Sequence, residues 1–119
     1  MSKYFQEREY SCKCGCGKSD ISDKLLFMLD ELREKCNMPL IINSGVRCEN
    51  HNSKTNGSPT SSHVLGFAVD IKAVSSQDKF KIVKHAIDIG FKRIGVYSSF
   101  IHLDIDENKP QYLIFYGGY

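Results

Sequence analysis

The chain has 119 residues, 41% of them hydrophobic, enough for a single domain over residues 1–119 with its own core and too few for two ordinary ones. A formal net charge of +2, with Lys and Arg scattered rather than gathered into a stripe, offers no electrostatic footprint for nucleic acid. No run approaches the length of a transmembrane helix. Residues 1–10 mix both charge signs and lack the apolar centre of a signal peptide, so the expectation is a soluble chain without leader or membrane insertion.

Chemistry begins early, in Cys12-Lys13-Cys14-Gly15-Cys16-Gly17. Five cysteines (Cys12, Cys14, Cys16, Cys36 and Cys48) cannot all pair within one chain. A structural metal, one or two disulfides (one of them to Cys48), or reduced packing thiols all fit this block, whose one-residue gaps are tighter than the usual two-to-four-residue chelating loops. Asp20 or Ser22 then caps a helix in which Leu25, Leu26, Met28, Leu29, Leu32 and Cys36 fall at helical spacing, with its end near Asn37 and before Pro39. Leu40-Ile41-Ile42 reads as a buried strand that delivers Asn43-Ser44-Gly45-Val46-Arg47 at its end.

From Cys48 to Ser62 the chain is polar, with turn chemistry at Asn56-Gly57-Ser58-Pro59, and reads as a long surface loop. Residues 66–71 alternate as a strand, placing Ala68 and Asp70 on one face. Ser75 or Ser76 caps a second helix that ends at Gly90, with Phe80, Val83, Ala86 and Ile87 assigned to its buried side. Residues 93–97 and 100–105 read as a β-hairpin joined through Ser98-Ser99, with His102 and Asp104 facing the same way. Residues 112–116 form a candidate last strand, and residues 117–119 are expected to fray. Two helices with four or five short strands predict an α+β fold, helices packed on a small, mainly antiparallel sheet.

Asp70 and His102 lie inside otherwise apolar segments, and a buried carboxylate or imidazole is costly unless paired or bound to a metal. With His63, seven positions before Asp70 and separated from it by the turn at Gly66, they make a His, His, carboxylate set. Three such ligands hold one zinc ion and leave a fourth position for water, as catalytic rather than structural zinc requires. His51, in the polar loop, and His85, on a lysine-rich helix, lack this setting and stay outside the set.

Ser61-x-His63-x-x-Gly66-x-Ala68-x-Asp70, followed by His102-x-Asp104, resembles the motif pair of the zinc D-alanyl-D-alanine carboxypeptidases and their peptidoglycan endopeptidase relatives. The likeness extends to Ser44-Gly45-Val46-Arg47-Cys48 and to Cys14-Gly15-Cys16-Gly17, so it covers nearly the whole chain. It implies the fold shared with the hedgehog signalling domain, Zn²⁺ held by His63, Asp70 and His102, and metal-assisted cleavage of peptidoglycan stem or cross-link peptides. It also implies Arg47 as the cation for a substrate carboxylate or developing oxyanion, and Ser61 as a substrate contact or a brace for the loop. Many relatives carry Glu or Asp three residues before the last histidine, where this chain has Ser99. Asp104 is then the nearest carboxylate, either the base that activates water or the residue that orients a ligand. Without a wall-binding module or leader, the chain fits a phage lysis enzyme or the catalytic domain of an exported bacterial protein, acting as a monomer at the cell wall. The rival from another class is a noncatalytic, hedgehog-like zinc-binding recognition domain.

Overall fold

In the computed structural model, which describes residues 2–55 and 61–117, the chain runs α1 (Glu7–Tyr10), α2 (Asp23–Cys36), β1 (Ile42–Ser44), α3 (Glu49–Lys54), β2 (Ala68–Lys72), α4 (Ser76–Ile89), β3 (Arg93–Val96), β4 (Phe100–Asp104) and β5 (Leu113–Tyr116). The Asn56–Pro59 turn and residues 118–119 lie outside the described residues.

The two long helices begin and end as their sequences dictate. Ser22 Oγ accepts from Leu25 N at 3.3 Å, and Asn37, in the left-handed region at φ 52°, closes α2. Ser75 Oγ accepts from Asp78 N at 3.1 Å, and Gly90 closes α4. α1 was not expected. It rests on a capping box in which Gln6 N donates to Glu9 Oε2 at 2.7 Å.

The sheet order is β1-β2-β4-β3-β5, antiparallel except where β5 pairs parallel with β3. In the β2–β4 register Asp70 stands opposite His102 and Ala68 opposite Asp104. Strand alternation therefore sends these four to one face and Val69, Ile71, Ile101 and Leu103 to the other. That second face joins Leu25, Leu29 and Leu32 of α2 and Ile82 and Ala86 of α4 in the core. Each Val, Leu or Ile side chain so buried contributes about 1.5–3 kcal/mol.

Four expectations need correction. In α4 the buried stripe is Ile82 and Ala86, with Ile89 packed against the core, while Phe80 and Ile87 are exposed. Val83 packs against the core and Ala86 is buried, as expected, but Phe80 and Ile87 fall outside because the facing helix α2 selects the Ile82–Ala86 stripe. The first strand begins two residues late, at Ile42, because its pairing with β2 starts opposite Ile71, although Leu40 and Ile42 already turn inward and Ile41 outward. The stretch after Cys48 is not all loop: α3 starts where Cys48 Sγ accepts from His51 N at 3.3 Å, and it buries Asn52. Finally, Gly117 N donates to Val96 O at 2.9 Å, extending the β3–β5 pairing where fraying was expected. No helix among the described residues is long and apolar enough to cross a membrane.

Candidate metal centre

The polar face of β2 and β4 is roofed by the segment that precedes β2. Ser61, Ser62 and His63 are buried there, although the sequence around them is polar. Ser62 Oγ donates to Asp106 Oδ2 at 2.8 Å, and Ser61 Oγ accepts from His63 N at 3.2 Å, so Ser61 braces the backbone that carries the histidine. Gly66, at φ 78°, turns the chain into β2, and a Cβ there would collide with the Asp20 carbonyl.

His63 Nδ1 lies 2.8 Å from Gly45 O. A carbonyl only accepts, so Nδ1 carries the proton and Nε2 presents its lone pair toward Asp70 Oδ1, 3.4 Å away. His102 approaches the same oxygen from β4, with Nδ1 at 2.9 Å, and its ring centroid lies 5.2 Å from that of His63. One donor atom from each of His63, Asp70 and His102 falls within a mutual 4.8 Å.

The other nitrogen of His102 faces Asp104, with Nε2 to Oδ2 at 2.7 Å. The second oxygen of Asp104 accepts from Arg93 Nε at 2.7 Å and from Asp106 N at 3.1 Å, and the residue is 1% exposed. Asp104 thus reaches the site but stands behind the His102 ring, opposite the side turned toward Asp70. A carboxylate on the far nitrogen of a metal-binding histidine fixes its tautomer and aim.

Charge in the cluster follows from these contacts. Burial opposes ionisation of Asp70, yet the hydrogen bond from His102 and the charge on that ring hold its carboxyl below the usual carboxylate range. Burial likewise disfavours a charged His102, but hydrogen bonds to Asp104 and Asp70 raise its pKa above the ordinary 6.5. Burial also works against Asp104 as an anion, but the hydrogen bond and charge of His102, the Asp106 amide and the Arg93 charge together outweigh it, so this carboxyl too is depressed.

Arg47 projects from the loop after β1. Its Nε donates to Ser44 Oγ at 3.0 Å, Nη1 to Asn52 Oδ1 at 3.3 Å, and Nη2 to Asp70 Oδ2 at 3.4 Å. The guanidinium is therefore fixed at the edge of the His–Asp–His cluster. Ser99 sits exposed at the turn between β3 and β4, and its carbonyl accepts from Ala73 N at 2.9 Å. Tyr97 stacks on Phe100 with centroids 4.3 Å apart, a packing role. Neither His51 nor His85 joins a metal-competent group among the described residues.

Two imidazoles, one with its lone pair already aimed, and an ionised carboxylate compose a donor set that suits zinc. A family model described as Peptidase M15 matches residues 3–104. The chain belongs to the Peptidase M15 family. These are zinc metallopeptidases of the D-Ala-D-Ala carboxypeptidase family, and the α+β architecture with its mixed five-stranded sheet is consistent with an M15 fold. The matched span contains the cysteine block, Arg47, all three members of the cluster and Asp104, its final residue. A comparison with curated proteins finds no match.

Sequence reasoning placed Ser44 and Gly45 in the motif around Arg47 without giving them a role, and it missed Asn52, Arg93 and Asp106. Arg93 was open to discovery, since pairing the hairpin puts it directly across from Asp104. The Gly45 carbonyl left no signal, because its role depends on backbone position and not on residue type.

Proposed function

We propose that this M15 peptidase hydrolyses peptide bonds in the stem or cross-link peptides of bacterial peptidoglycan, using zinc held by His63, Asp70 and His102. The observation that carries the reading is the convergence of His63 Nε2 and His102 Nδ1 on Asp70 Oδ1, at 3.4 and 2.9 Å. Zinc bound by these atoms would supply an activated water and polarise the scissile carbonyl. The peptidoglycan assignment rests on the likeness of the Ser61–Asp70 and His102–Asp104 motifs to the wall-cleaving enzymes.

The remaining side chains have defined tasks in this account. Gly45 O keeps the proton on His63 Nδ1 and Asp104 keeps one on His102 Nε2, so His63 Nε2 is free to bind and His102 Nδ1 becomes so when zinc displaces the proton it shares with Asp70. With its two oxygens engaged by His102, Arg93 and the Asp106 amide, Asp104 is a positioning residue and not the base. Arg47 supplies a positive charge at the rim, suited to a terminal carboxylate of the substrate or to the oxyanion that develops during attack. Ser61 acts through the His63 backbone.

A noncatalytic zinc-binding recognition domain is the second reading, favoured by Ser99 at the position where many relatives place a carboxylate. Zinc-loaded protein incubated with isolated peptidoglycan separates the two. Soluble stem or cross-link peptides with new termini, identified by mass spectrometry and absent when a chelator is added, are the expected result. Stoichiometric zinc with intact peptidoglycan would overturn the enzyme reading in favour of recognition.

A further inference from the structure

Apart from the His–Asp–His centre, the described residues bring together a second group of metal-binding side chains. Cys12, Cys14, Cys16 and Cys48 place their sulfurs within a mutual 4.8 Å. The Sγ–Sγ separations are 3.4 Å for Cys12–Cys14, 3.8 Å for Cys12–Cys48 and 3.7 Å for Cys14–Cys48. Three sulfurs near one another form a triangle, not a bonded pair with bystanders. A tetrahedron of thiolates around zinc, with Zn–S of about 2.3 Å, has edges of about 3.8 Å. The Cys12–Cys14–Cys48 face comes close to these edges, and Cys16 lies within 4.8 Å of all three.

Local chain geometry explains how one-residue gaps achieve this. Gly15 and Gly17 adopt positive φ, 86° and 90°, and Cys12 N bonds Lys18 O at 2.8 Å, closing a knuckle that curls three cysteines around one point. Cys48 arrives from the loop after β1 as the fourth corner. Backbone amides support the sulfurs: Cys48 N lies 3.4 Å from Cys12 Sγ and His51 N 3.3 Å from Cys48 Sγ. The fifth cysteine, Cys36, is 1% exposed in the helical core and takes no part. That division accounts for the odd count.

We infer that Cys12, Cys14, Cys16 and Cys48 form a second, structural zinc site that ties the N-terminal segment to the loop carrying Arg47. A soft tetrahedral S4 set filled by protein atoms selects zinc as a structural ion, and each coordinating thiol gives up its proton on binding. The tie has a clear load. Val46 N donates to Tyr10 O at 2.8 Å, Arg47 N to His63 O at 3.1 Å, and Gly45 packs so closely on Tyr10 that any Cβ would strike its backbone. Cys48 is bonded in sequence to Arg47, so a metal joining it to Cys12, Cys14 and Cys16 pins both ends of this strap. The thiolate site stands whether or not the His–Asp–His centre is catalytic.

Metal analysis of protein purified with its thiols reduced tests the assignment. Wild type should carry two zinc ions per chain, the double variant C14S/C48S one, and H63A/H102A one. Wild-type protein loaded with cobalt should show intense thiolate-to-cobalt charge transfer, and zinc should protect four cysteines from alkylation until a chelator is added. These two readouts need no variant and survive a folding failure in C14S/C48S. A single zinc in wild type that H63A/H102A removes, iron in place of the second zinc, or disulfides among the four cysteines under reducing purification would each overturn the inference.

Discussion

Val69, Ile71, Ile101 and Leu103 alternate along β2 and β4 with Ala68, Asp70, His102 and Asp104, so one pair of strands presents two unlike regions back to back. On the helix side the side chains are buried hydrocarbon held by shape, and what matters there is volume. On the other side nearly every polar atom has a named partner, and what matters is which atom faces which. The shared backbone couples the two only mechanically. A rigid, well-packed back face is what allows His102 to keep Asp70 at 2.9 Å on one nitrogen and Asp104 at 2.7 Å on the other.

The largest expected effect is on the polar side. Asp70→Ala removes the carboxylate that both imidazoles and Arg47 share, and zinc at this centre and peptide release from peptidoglycan should both be lost. On the apolar side, Leu29→Ala should cost about 2–5 kcal/mol in denaturant unfolding while zinc affinity of the folded protein stays the same. A marked change in that affinity would show that the faces are not separable. Asp104→Asn is the next step down, with zinc affinity at the His–Asp–His centre falling about 10- to 100-fold, read by competition with a chelator. Were Asp104 the base, hydrolysis would collapse at unchanged affinity.

Acidity sharpens the contrast, because only the polar face titrates. His102 has a raised pKa in the metal-free fold, so its stabilising contribution is complete below 6.5 and is lost as pH rises through the raised value. Asp70 and Asp104 are depressed, and their contributions are present above the ordinary 3.8 and vanish as pH falls through their lowered values. Zinc competes with the proton on His102. Its affinity should therefore climb with pH across the same window in which metal-free stability declines, a crossing that calorimetry can follow. The smallest effect belongs to Ser22→Ala, about 1 kcal/mol for a lost helix cap, with both zinc affinity and activity unaltered.

Legibility in the sequence differed between the regions for the same physical reason. Helix α2 was open to reading because its cap, its apolar spacing and its Asn37 terminus all agree. In α4 two series satisfied the helical period, and only packing against α2 chooses Ile82 and Ala86 over Phe80 and Ile87. Helix α3 escaped notice because cysteine is not among the common capping residues, yet Cys48 serves as one. The motif residues His63, Asp70 and His102 were visible by type and by alternation. Alternation could not say which nitrogen of His102 meets which carboxylate, since Asp70 and Asp104 share a face. The role of Asp104 became readable only from its distances to His102 and Arg93. The cysteine block hid its fourth corner for a comparable reason, because Cys48 lies far along the chain and arrives through the fold of β1 and its loop.

Anomalous scattering at the zinc edge from crystals of the zinc-loaded protein would locate the ion at the His–Asp–His centre. A peak bonded to His63 Nε2, an Asp70 carboxylate oxygen and His102 Nδ1, with Asp104 still on His102 Nε2, is the expected result. Absence of a peak among these three residues, or a peak lying between His102 Nε2 and Asp104, would contradict it.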